Sequence, residues 1–497
     1  MIMTFVKRYI LLVLLLSPFL INGAEKRIIS LQEAVKMAND SSLATFRYRN
    51  LYAAGYWEWR TFKANRLPSI SMNVVPAQYY RYITQRYNYE ENIDVFRPQQ
   101  MYLASAGITA SQNVDFLGGT LYLDTDLEYM RNFGDYTGNQ FSAVPIRIGY
   151  RQDLIGYNEF KWNRKIEPLK YEKAKKELIY NMETVSEEVV RLFFTLALAQ
   201  TEYKLALENV ASCDTLYTIG ERRFKIAAIS QAELLTLKLD KVNADNSLEN
   251  ARIGIKKGMF ALASYLGLDK DTEIEVIIPG KPMPLEIPMD LALENARLNN
   301  PELMGHRQSI LEAEKEVSRT GAEKNFNASV NASVGFNQVA TSFGGAYRDP
   351  LRQDLVSLSL SIPIVDWGVR KGKHNIAKNN LNVAKIAARQ DELNIEEEVM
   401  ITVNDFQTQI SLVESAQEAL DLADMAYYQT RQRFIIGKAD INSLTLSHNR
   451  QQEASRNYIT ALQNYWSGYF KLRKLTLYDF EFNLPISAEF DNIMGVR

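Results

Sequence analysis

The sequence contains very little cysteine and histidine: one cysteine, Cys213, and three histidines among 497 residues. A single cysteine excludes an internal disulfide. The histidines, at positions 306, 374 and 448, lie too far apart for metal-ligand spacing. The sequence also lacks a glycine-rich phosphate loop and a nucleophile-elbow serine. We therefore expect no enzyme activity, no cofactor and no metal.

The chain also lacks an excess of charge of either sign, with 57 basic and 59 acidic residues. A surface that binds nucleic-acid phosphates needs a basic excess, so we expect no nucleic-acid partner. Beyond the N-terminus, no apolar run reaches the length of about 18 residues that a membrane-spanning helix requires. Membrane-spanning helices are therefore not expected.

The first 24 residues have the features of a secretory signal. Lys7 and Arg8 precede a short apolar run at positions 9–21, and small residues follow it as far as Ala24. A membrane anchor is the alternative, although the run is short for a full span. We expect a signal peptide at residues 1–24, followed by export of the remaining chain.

Proline is absent from two long stretches, residues 169–278 and 364–484. Each stretch contains an apolar residue at every seventh position, and the two patterns are 210 residues apart. The residues are Tyr203, Val210, Tyr217 and Phe224 in the first stretch, and Val413, Leu420, Tyr427 and Phe434 in the second. A seven-residue apolar repeat predicts a coiled-coil seam. Two copies predict a duplicated long helical hairpin, with turns near residues 220–230 and 435–441.

Between the helical stretches, apolar residues alternate with small or polar ones, which predicts β-strands. The candidates are Ser69–Val75, Tyr102–Asn113, Thr120–Met130, Ala143–Leu154, residues 327–336 and residues 355–362. Strands of about ten residues suit a tilted crossing of a bilayer, although soluble sandwiches alternate too. About eight strands are needed to close a small barrel, so several copies would have to share their strands.

These features divide the chain into two repeats. The first occupies residues 25–278 and begins with a helix at Ile28–Ala64. A proline-rich linker occupies residues 279–288, the second repeat residues 289–484, and a tail residues 485–497. The first repeat carries about 60 extra residues between Tyr79 and Ala143.

Three motifs resemble those of TolC-like outer-membrane efflux proteins, also called outer membrane factors. They are the opening Leu31-Gln32-Glu33-Ala34-Val35, the strand-to-helix change at residues 360–368, and the segment at residues 433–444. The resemblance implies an α+β membrane protein. Three copies would share one twelve-stranded barrel, four strands each, that continues into a long periplasmic α-helical barrel.

The same resemblance implies a passive export channel for small molecules or proteins in tripartite efflux or type I secretion. Its partners would be two further copies, a periplasmic adaptor (membrane fusion protein), an inner-membrane pump of RND or ABC type, and outer-membrane lipid. A secreted coiled-coil structural protein with a soluble β head is the alternative. A need for detergent during extraction would separate the two.

The sequence departs from the family pattern in two places. The extra residues of the first repeat could form an extracellular hairpin or additional barrel strands, and we expect an insertion outside a twelve-stranded barrel. Ala227 stands where the second copy has Gly437. Since glycine adopts positive φ easily, alanine predicts a gentler turn, or one displaced toward Gly220.

The resemblance also implies a periplasmic tip that docks the adaptor. The candidates are Arg223, Phe224, Ala227, Arg433, Phe434, Gly437 and Lys438. The arginines could bond tip carbonyls or be surface residues, and we expect both phenylalanines to pack inside the hairpins. Glu233 and Asp440 are gate candidates, since rings of carboxylates select cargo in pores. The alternative is that both are solvated helix-end residues.

Overall fold

The computed structural model describes residues 27–133, 137–154, 156–324 and 326–486. The predicted signal peptide and residues 487–497 of the predicted tail lie outside the described residues.

The described elements of the first half are, in order, β1 (Arg27–Ser30), α1 (Leu31–Ser41), α2 (Leu43–Ala64), β2 (Ser69–Asn88), β3 (Ile93–Val114), β4 (Gly119–Phe133), β5 (Gly138–Asp153), α3 (Glu159–Lys225), α4 (Gln231–Leu266) and β6 (Ile274–Ile277). Those of the second half are α5 (Met289–Asn299), α6 (Pro301–Glu323), β7 (Asn327–Ala340), β8 (Leu351–Ser361), α7 (Val369–Ile435), α8 (Ile441–Thr476), β9 (Tyr478–Asp479) and β10 (Leu484–Pro485).

The two long hairpins have matching dimensions. The outgoing helices α3 and α7 contain 67 residues each, and the returning helices α4 and α8 contain 36 each. Both pairs are offset by 210 residues. Helix α3 begins ten residues earlier than its lack of proline predicts and continues through Pro168. Proline therefore does not mark the boundary of this helix.

The prediction of one helix over Ile28–Ala64 is wrong. Residues 27–30 form β1, which pairs in parallel with β6, and the following helix is interrupted between α1 and α2 at Ser42. Ser30 caps α1, because its hydroxyl accepts from the Glu33 amide while the Glu33 carboxylate accepts from the Ser30 amide. The partner of β1 lies more than 240 residues away in the chain, so local periodicity does not reveal it.

Contacts divide the described chain into two compact units. We call residues 27–50, 178–299 and 395–486 the helical unit, and residues 51–177 and 300–394 the sheet unit. The core of the helical unit is aromatic and aliphatic, with Phe193, Phe194, Leu262, Phe406 and Leu472 fully buried. In the part of the chain that the structure describes, no helix combines the length and apolar character that a membrane span requires.

A buried ion-pair network links α3 to α8 in the helical unit. The Arg473 guanidinium lies 3.0 Å from the Glu183 carboxylate and 2.8 Å from the Asp479 carboxylate, and the Tyr469 hydroxyl donates to Asp479 at 2.9 Å. Burial raises the pKa of Glu183, and the nearby Arg473 opposes this shift. Loss of Arg473 would leave two carboxylates without their cation, so its substitution should strongly destabilise the folded protein.

The sheet unit contains one antiparallel sheet of six strands in the order β2-β3-β4-β5-β7-β8. Each of the six predicted segments overlaps a strand, and all six strands are longer than predicted. The expectation of four strands per copy is therefore wrong. The extra residues do not form a hairpin outside the sheet, because β3 and β4 lie between β2 and β5 in the ladder.

Candidate functional site at the hairpin turns

The two hairpin turns have the same length and the same backbone conformation. Helices α3 and α7 end at Lys225 and Ile435, and the returning helices begin six residues later in both copies. Ala227 has φ +55° and Gly437 has φ +77°. The amides that follow donate to matching carbonyls, Ala228 to Arg223 and Lys438 to Arg433, each at 2.8 Å. The turns are therefore two copies of one left-handed helix end.

The prediction that Ala227 causes a gentler or displaced turn is wrong. Ala227 occupies the left-handed region itself, where a side chain costs about 1–2 kcal/mol relative to the right-handed one. Gly220 lies inside α3, and a Cβ atom built on it would clash with the Leu237 side chain. The glycine at position 220 therefore permits close packing of α3 against α4 and makes no turn.

Each returning helix begins with a side-chain cap at the equivalent position. In the first copy, Ser230 caps α4, and the Glu233 carboxylate accepts from the Ser230 amide at 2.7 Å. In the second, the Asp440 carboxylate caps α8 by accepting from the Ser443 amide at 2.7 Å. The Ser-x-x-Glu spacing at residues 230–233 is a sequence signal for this arrangement that our sequence reasoning missed.

The two gate candidates, Glu233 and Asp440, are therefore helix-capping carboxylates. Both side chains are exposed at the turns. Hydrogen bonds from the Ser230 amide and hydroxyl lower the pKa of Glu233, and hydrogen bonds from Ser443 lower the pKa of Asp440. Both groups are thus negatively charged at neutral pH. Their role in a constriction stays a prediction. Within one chain, both carboxylates cap a helix.

Arg223 joins the two turns within one copy. Its Nη2 atom donates to the Phe434 carbonyl at 3.4 Å, and its guanidinium carbon lies 5.6 Å from the centroid of the Phe434 ring. The ring beneath it is buried, with 4% of its surface exposed. A cation–π contact and a carbonyl hydrogen bond therefore hold the end of α3 against the end of α7. The prediction that an arginine bonds a tip carbonyl is confirmed for Arg223.

The equivalent residues of the other copy do not form this contact. Phe224 is 41% exposed, so the expectation that both phenylalanines pack inside the hairpins is confirmed for Phe434 and wrong for Phe224. The structure shows no side-chain hydrogen bond or ion pair between Arg433 and any residue it describes. Lys438 lies exposed in the second turn. One of two equivalent Arg–Phe contacts is thus made within the chain.

A cavity of about 480 Å³ lies above these turns, between the two hairpins of the helical unit. Its lining includes Cys213, Asp240, Tyr427 and His448. Burial raises the pKa of the Cys213 thiol to about 11 and lowers the pKa of His448. Cys213 is therefore a neutral thiol at physiological pH. His448 is half-buried.

A protein-family model described as outer membrane efflux protein matches residues 292–476. The second half of the chain is therefore similar to the outer membrane efflux protein family. The match includes α7, α8 and the turn that contains Arg433, Phe434 and Gly437. The family resemblance predicted from the sequence motifs is thus confirmed. With it, the predicted function as an outer-membrane channel component of efflux systems and the outer-membrane location are confirmed.

Solved structures of outer-membrane channels and proteins share the fold. The Campylobacter jejuni CmeC outer membrane channel is 13% identical, with a TM-score of 0.65, and the match covers 94% of this chain and 88% of that one. VceC of Vibrio cholerae is 12% identical, with a TM-score of 0.62 and coverages of 92% and 97%. The open state of Neisseria gonorrhoeae MtrE is 12% identical, with a TM-score of 0.57 and coverages of 90% and 88%. Among curated protein sequences, none matches this chain significantly.

Proposed function

We propose that three copies of this chain form a passive export duct that serves a tripartite efflux or type I secretion system. Their sheets form a barrel in the outer membrane, and their long hairpins form an α-helical tube in the periplasm. An inner-membrane pump of RND or ABC type supplies the energy, and a periplasmic adaptor connects it to the tube. The duct itself makes and breaks no covalent bond. The family match of the second half is the observation that carries this proposal.

The edges of the sheet support assembly from several copies. Strands β2 and β8 stand at the two ends of the six-stranded order, so each has one side without a neighbour in the described sheet. In lipid, an open edge leaves backbone amides and carbonyls without hydrogen-bond partners, at a cost of several kcal/mol each. Pairing β2 of one copy with β8 of the next satisfies both edges and generates a ring.

The hairpin turns support the same assembly. Arg223 and Arg433 are equivalent residues, as are Phe224 and Phe434, but one Arg–Phe pair is in contact within a copy. We propose that Arg433 of each copy covers Phe224 of an adjacent copy. Three copies then give a ring of six turns held by six similar contacts. The matching lengths of the hairpins also favour an origin of residues 25–278 and 289–484 by duplication.

The ring of turns is the proposed gate and adaptor-docking end. Glu233 and Asp440 would each appear three times around the opening, as six carboxylates that are charged at neutral pH. Such a ring repels anionic cargo and attracts cationic cargo. The adaptor would engage side chains of the turns that stay exposed, such as Lys438.

Extraction, chemical cross-linking and planar-bilayer recording test the proposal. We expect the protein to partition with the outer membrane, to require detergent for extraction, to cross-link as a trimer and to conduct ions. A monomeric, water-soluble product without conductance would overturn the duct and would favour a secreted coiled-coil protein with a soluble β head. A panel of toxic compounds applied to a deletion strain would then identify the cargo.

A further inference from the structure

We propose that the barrel has eighteen strands, six from each copy, in place of the twelve that the family resemblance implies. This inference rests on the trimer proposed above. It concerns the two strands, β3 and β4, that the first half inserts between β2 and β5. If these strands belong to the barrel wall, the channel is much wider than a twelve-stranded one.

The ladder shows that β3 and β4 cannot leave the wall without breaking it. Strand β3 pairs with β2 from Ile93 to Ser111 and with β4 from Gln100 to Val114. Strand β4 pairs in turn with β5 from Thr120 to Asn132. In the described sheet β2 has no ladder with β5. An extracellular hairpin would require β2 and β5 to meet, and the two inserted strands separate them along their whole length.

One face of the sheet is apolar on all six strands. The paired registers place the following large residues on this face: Ile70, Met72 and Val74 of β2, Ile108 of β3, Leu121 and Leu123 of β4, Ile146 and Ile148 of β5, Val334 and Phe336 of β7, and Val356, Leu358 and Leu360 of β8. Each of these side chains is more than 40% exposed. A contiguous exposed apolar face of this kind is suited to lipid, and the inserted strands contribute to it as the others do.

The opposite face is polar on all six strands. It carries Ser71 and Asn73 of β2, Thr109 and Ser111 of β3, Tyr122 and Asp124 of β4, Arg147 and Arg151 of β5, Asn331 and Ser333 of β7, and Ser357 and Ser359 of β8. This is the composition of a water-filled lumen. The alternation continues through β3 and β4 without a change of sides, as expected for wall strands.

Side-chain bonds on the polar face tie an inserted strand to its neighbours. Asp124 of β4 forms an ion pair with Arg147 of β5. The Tyr122 hydroxyl donates to the Asn331 side chain of β7 at 3.0 Å, so it reaches past β5. It passes over Gly149, where a Cβ atom would clash with the tyrosine ring. These side-chain bonds connect β4, β5 and β7 on the polar face, so the inserted strand β4 is held to two strands of the original sheet.

The turn between β3 and β4 is anchored at the base of the sheet. Asp115 in this turn forms an ion pair with Arg66, just before β2, at 2.7 Å. Its carbonyl accepts from the Asn158 side chain, just after β5, at 3.1 Å. The turn between β3 and β4 therefore lies at the end of the sheet where β2 begins and β5 ends. A hairpin that projected from the sheet would not be expected to form these contacts.

The strand count also permits closure. Six antiparallel strands leave β2 and β8 running in opposite directions, so β8 of one copy can pair with β2 of the next in the same antiparallel manner. With strands about 4.8 Å apart and tilted by about 40°, eighteen strands enclose a ring about 36 Å across between backbones, against about 24 Å for twelve. The cross-section between backbones is then about twice as large, which admits wider cargo than a twelve-stranded channel does.

Disulfide trapping tests the β2–β8 contact. In a Cys213→Ser background, Ser71→Cys would be combined in turn with Ser357→Cys, Ser359→Cys and Ser361→Cys. We expect at least one combination to give covalent dimers and trimers on non-reducing gels. Met72→Cys in the same combinations is the matched control, because Met72 is the next residue but points to the opposite face of the sheet. If the Met72→Cys combinations gave covalent dimers and the Ser71→Cys combinations did not, the proposed edge pairing would be overturned.

Electron cryo-microscopy of the detergent-extracted wild-type channel decides the count. Eighteen strands in a trimeric barrel would support the inference. A trimer with twelve wall strands, and with β3 and β4 outside the wall, would overturn it but leave the export duct intact. The absence of any trimer would overturn the duct itself, and this inference with it.

Discussion

Replacement of Arg223 by alanine should loosen the proposed gate. The substitution removes the hydrogen bond to the Phe434 carbonyl, which at 3.4 Å is long, and the cation–π contact at 5.6 Å. An exposed cation–π contact contributes about 0.5–1 kcal/mol, and a hydrogen bond of this kind about 0.5–1 kcal/mol. The two together amount to about 1–2 kcal/mol per copy, which raises the opening equilibrium of the turns about 5- to 30-fold.

Two measurements would detect this change. Amide hydrogen exchange at residues 224–230 and 434–440 should accelerate in proportion to the opening equilibrium, while exchange in the sheet should not change. In planar bilayers, the open probability of the purified channel should rise, because three copies lose their contact at once. Trimer formation should be unaffected, since the edges of the sheet are distant in sequence from this residue.

Arg222→Ala is the matched control for this experiment. Arg222 is the preceding residue of α3, carries the same charge and is exposed at the turn. Its loss changes the net charge by the same amount but leaves the Phe434 contact in place. If both variants accelerated exchange equally, the effect would be one of general charge, and the reasoning from the Arg223 contact would be refuted.

Further predictions concern the turns, the buried network and the cavity. Ala227→Gly should stabilise the first turn by about 1 kcal/mol and Gly437→Ala should destabilise the second by a similar amount, measured as local hydrogen-exchange protection. Gly437→Trp should abolish export, scored as drug tolerance, without preventing trimer formation. Arg473→Ala should destabilise the protein by about 3–5 kcal/mol in thermal unfolding, because it leaves Glu183 buried without its cation. The lowered pKa of His448 predicts stability that is fully present above about pH 6.5 and is lost as the pH falls through the folded pKa, so His448→Gln should flatten this part of the melting profile.

Controls separate these effects from general damage. Lys471 lies on the same helix as Arg473 and forms an exposed ion pair with Glu398 at 3.0 Å, so Lys471→Ala should cost less than about 1 kcal/mol. An equal loss in both variants would contradict the role of the buried network. Equal shifts of the same sign in Ala227→Gly and Gly437→Ala would contradict the left-handed turn. An unchanged pH profile in His448→Gln would assign the acid sensitivity to other groups.

The sequence reveals those parts of the fold that depend on local pattern. Heptad spacing and the lack of proline predicted both hairpins, and alternation predicted all six strands. Strand β1 was missed because its partner β6 is distant in the chain, and its own residues fit the start of a helix equally well. The strand count was underestimated because alternation shows that a segment is a strand but does not show which neighbours it pairs with.

The candidate site was predicted in part for similar reasons. Arg223 and Arg433 have the same sequence context, and the sequence does not show that the first bonds its own chain while the second has no such contact with the described residues. Ala227 was predicted to relax the turn because propensity disfavours it at positive φ. The surrounding hydrogen bonds and the cap at Ser230 impose the left-handed conformation on it instead. Tertiary constraint outweighs the local preference of one residue.

The matched helix lengths constrain how this protein can change over time. Arg223 reaches Phe434 only because α3 and α7 stop at the same level, after 67 residues each. A deletion of one heptad from each helix of a single hairpin would retract its turn by about 10 Å and leave the other turn projecting. We therefore expect changes in hairpin length to occur together, with both hairpins of a chain shortened or extended by the same amount.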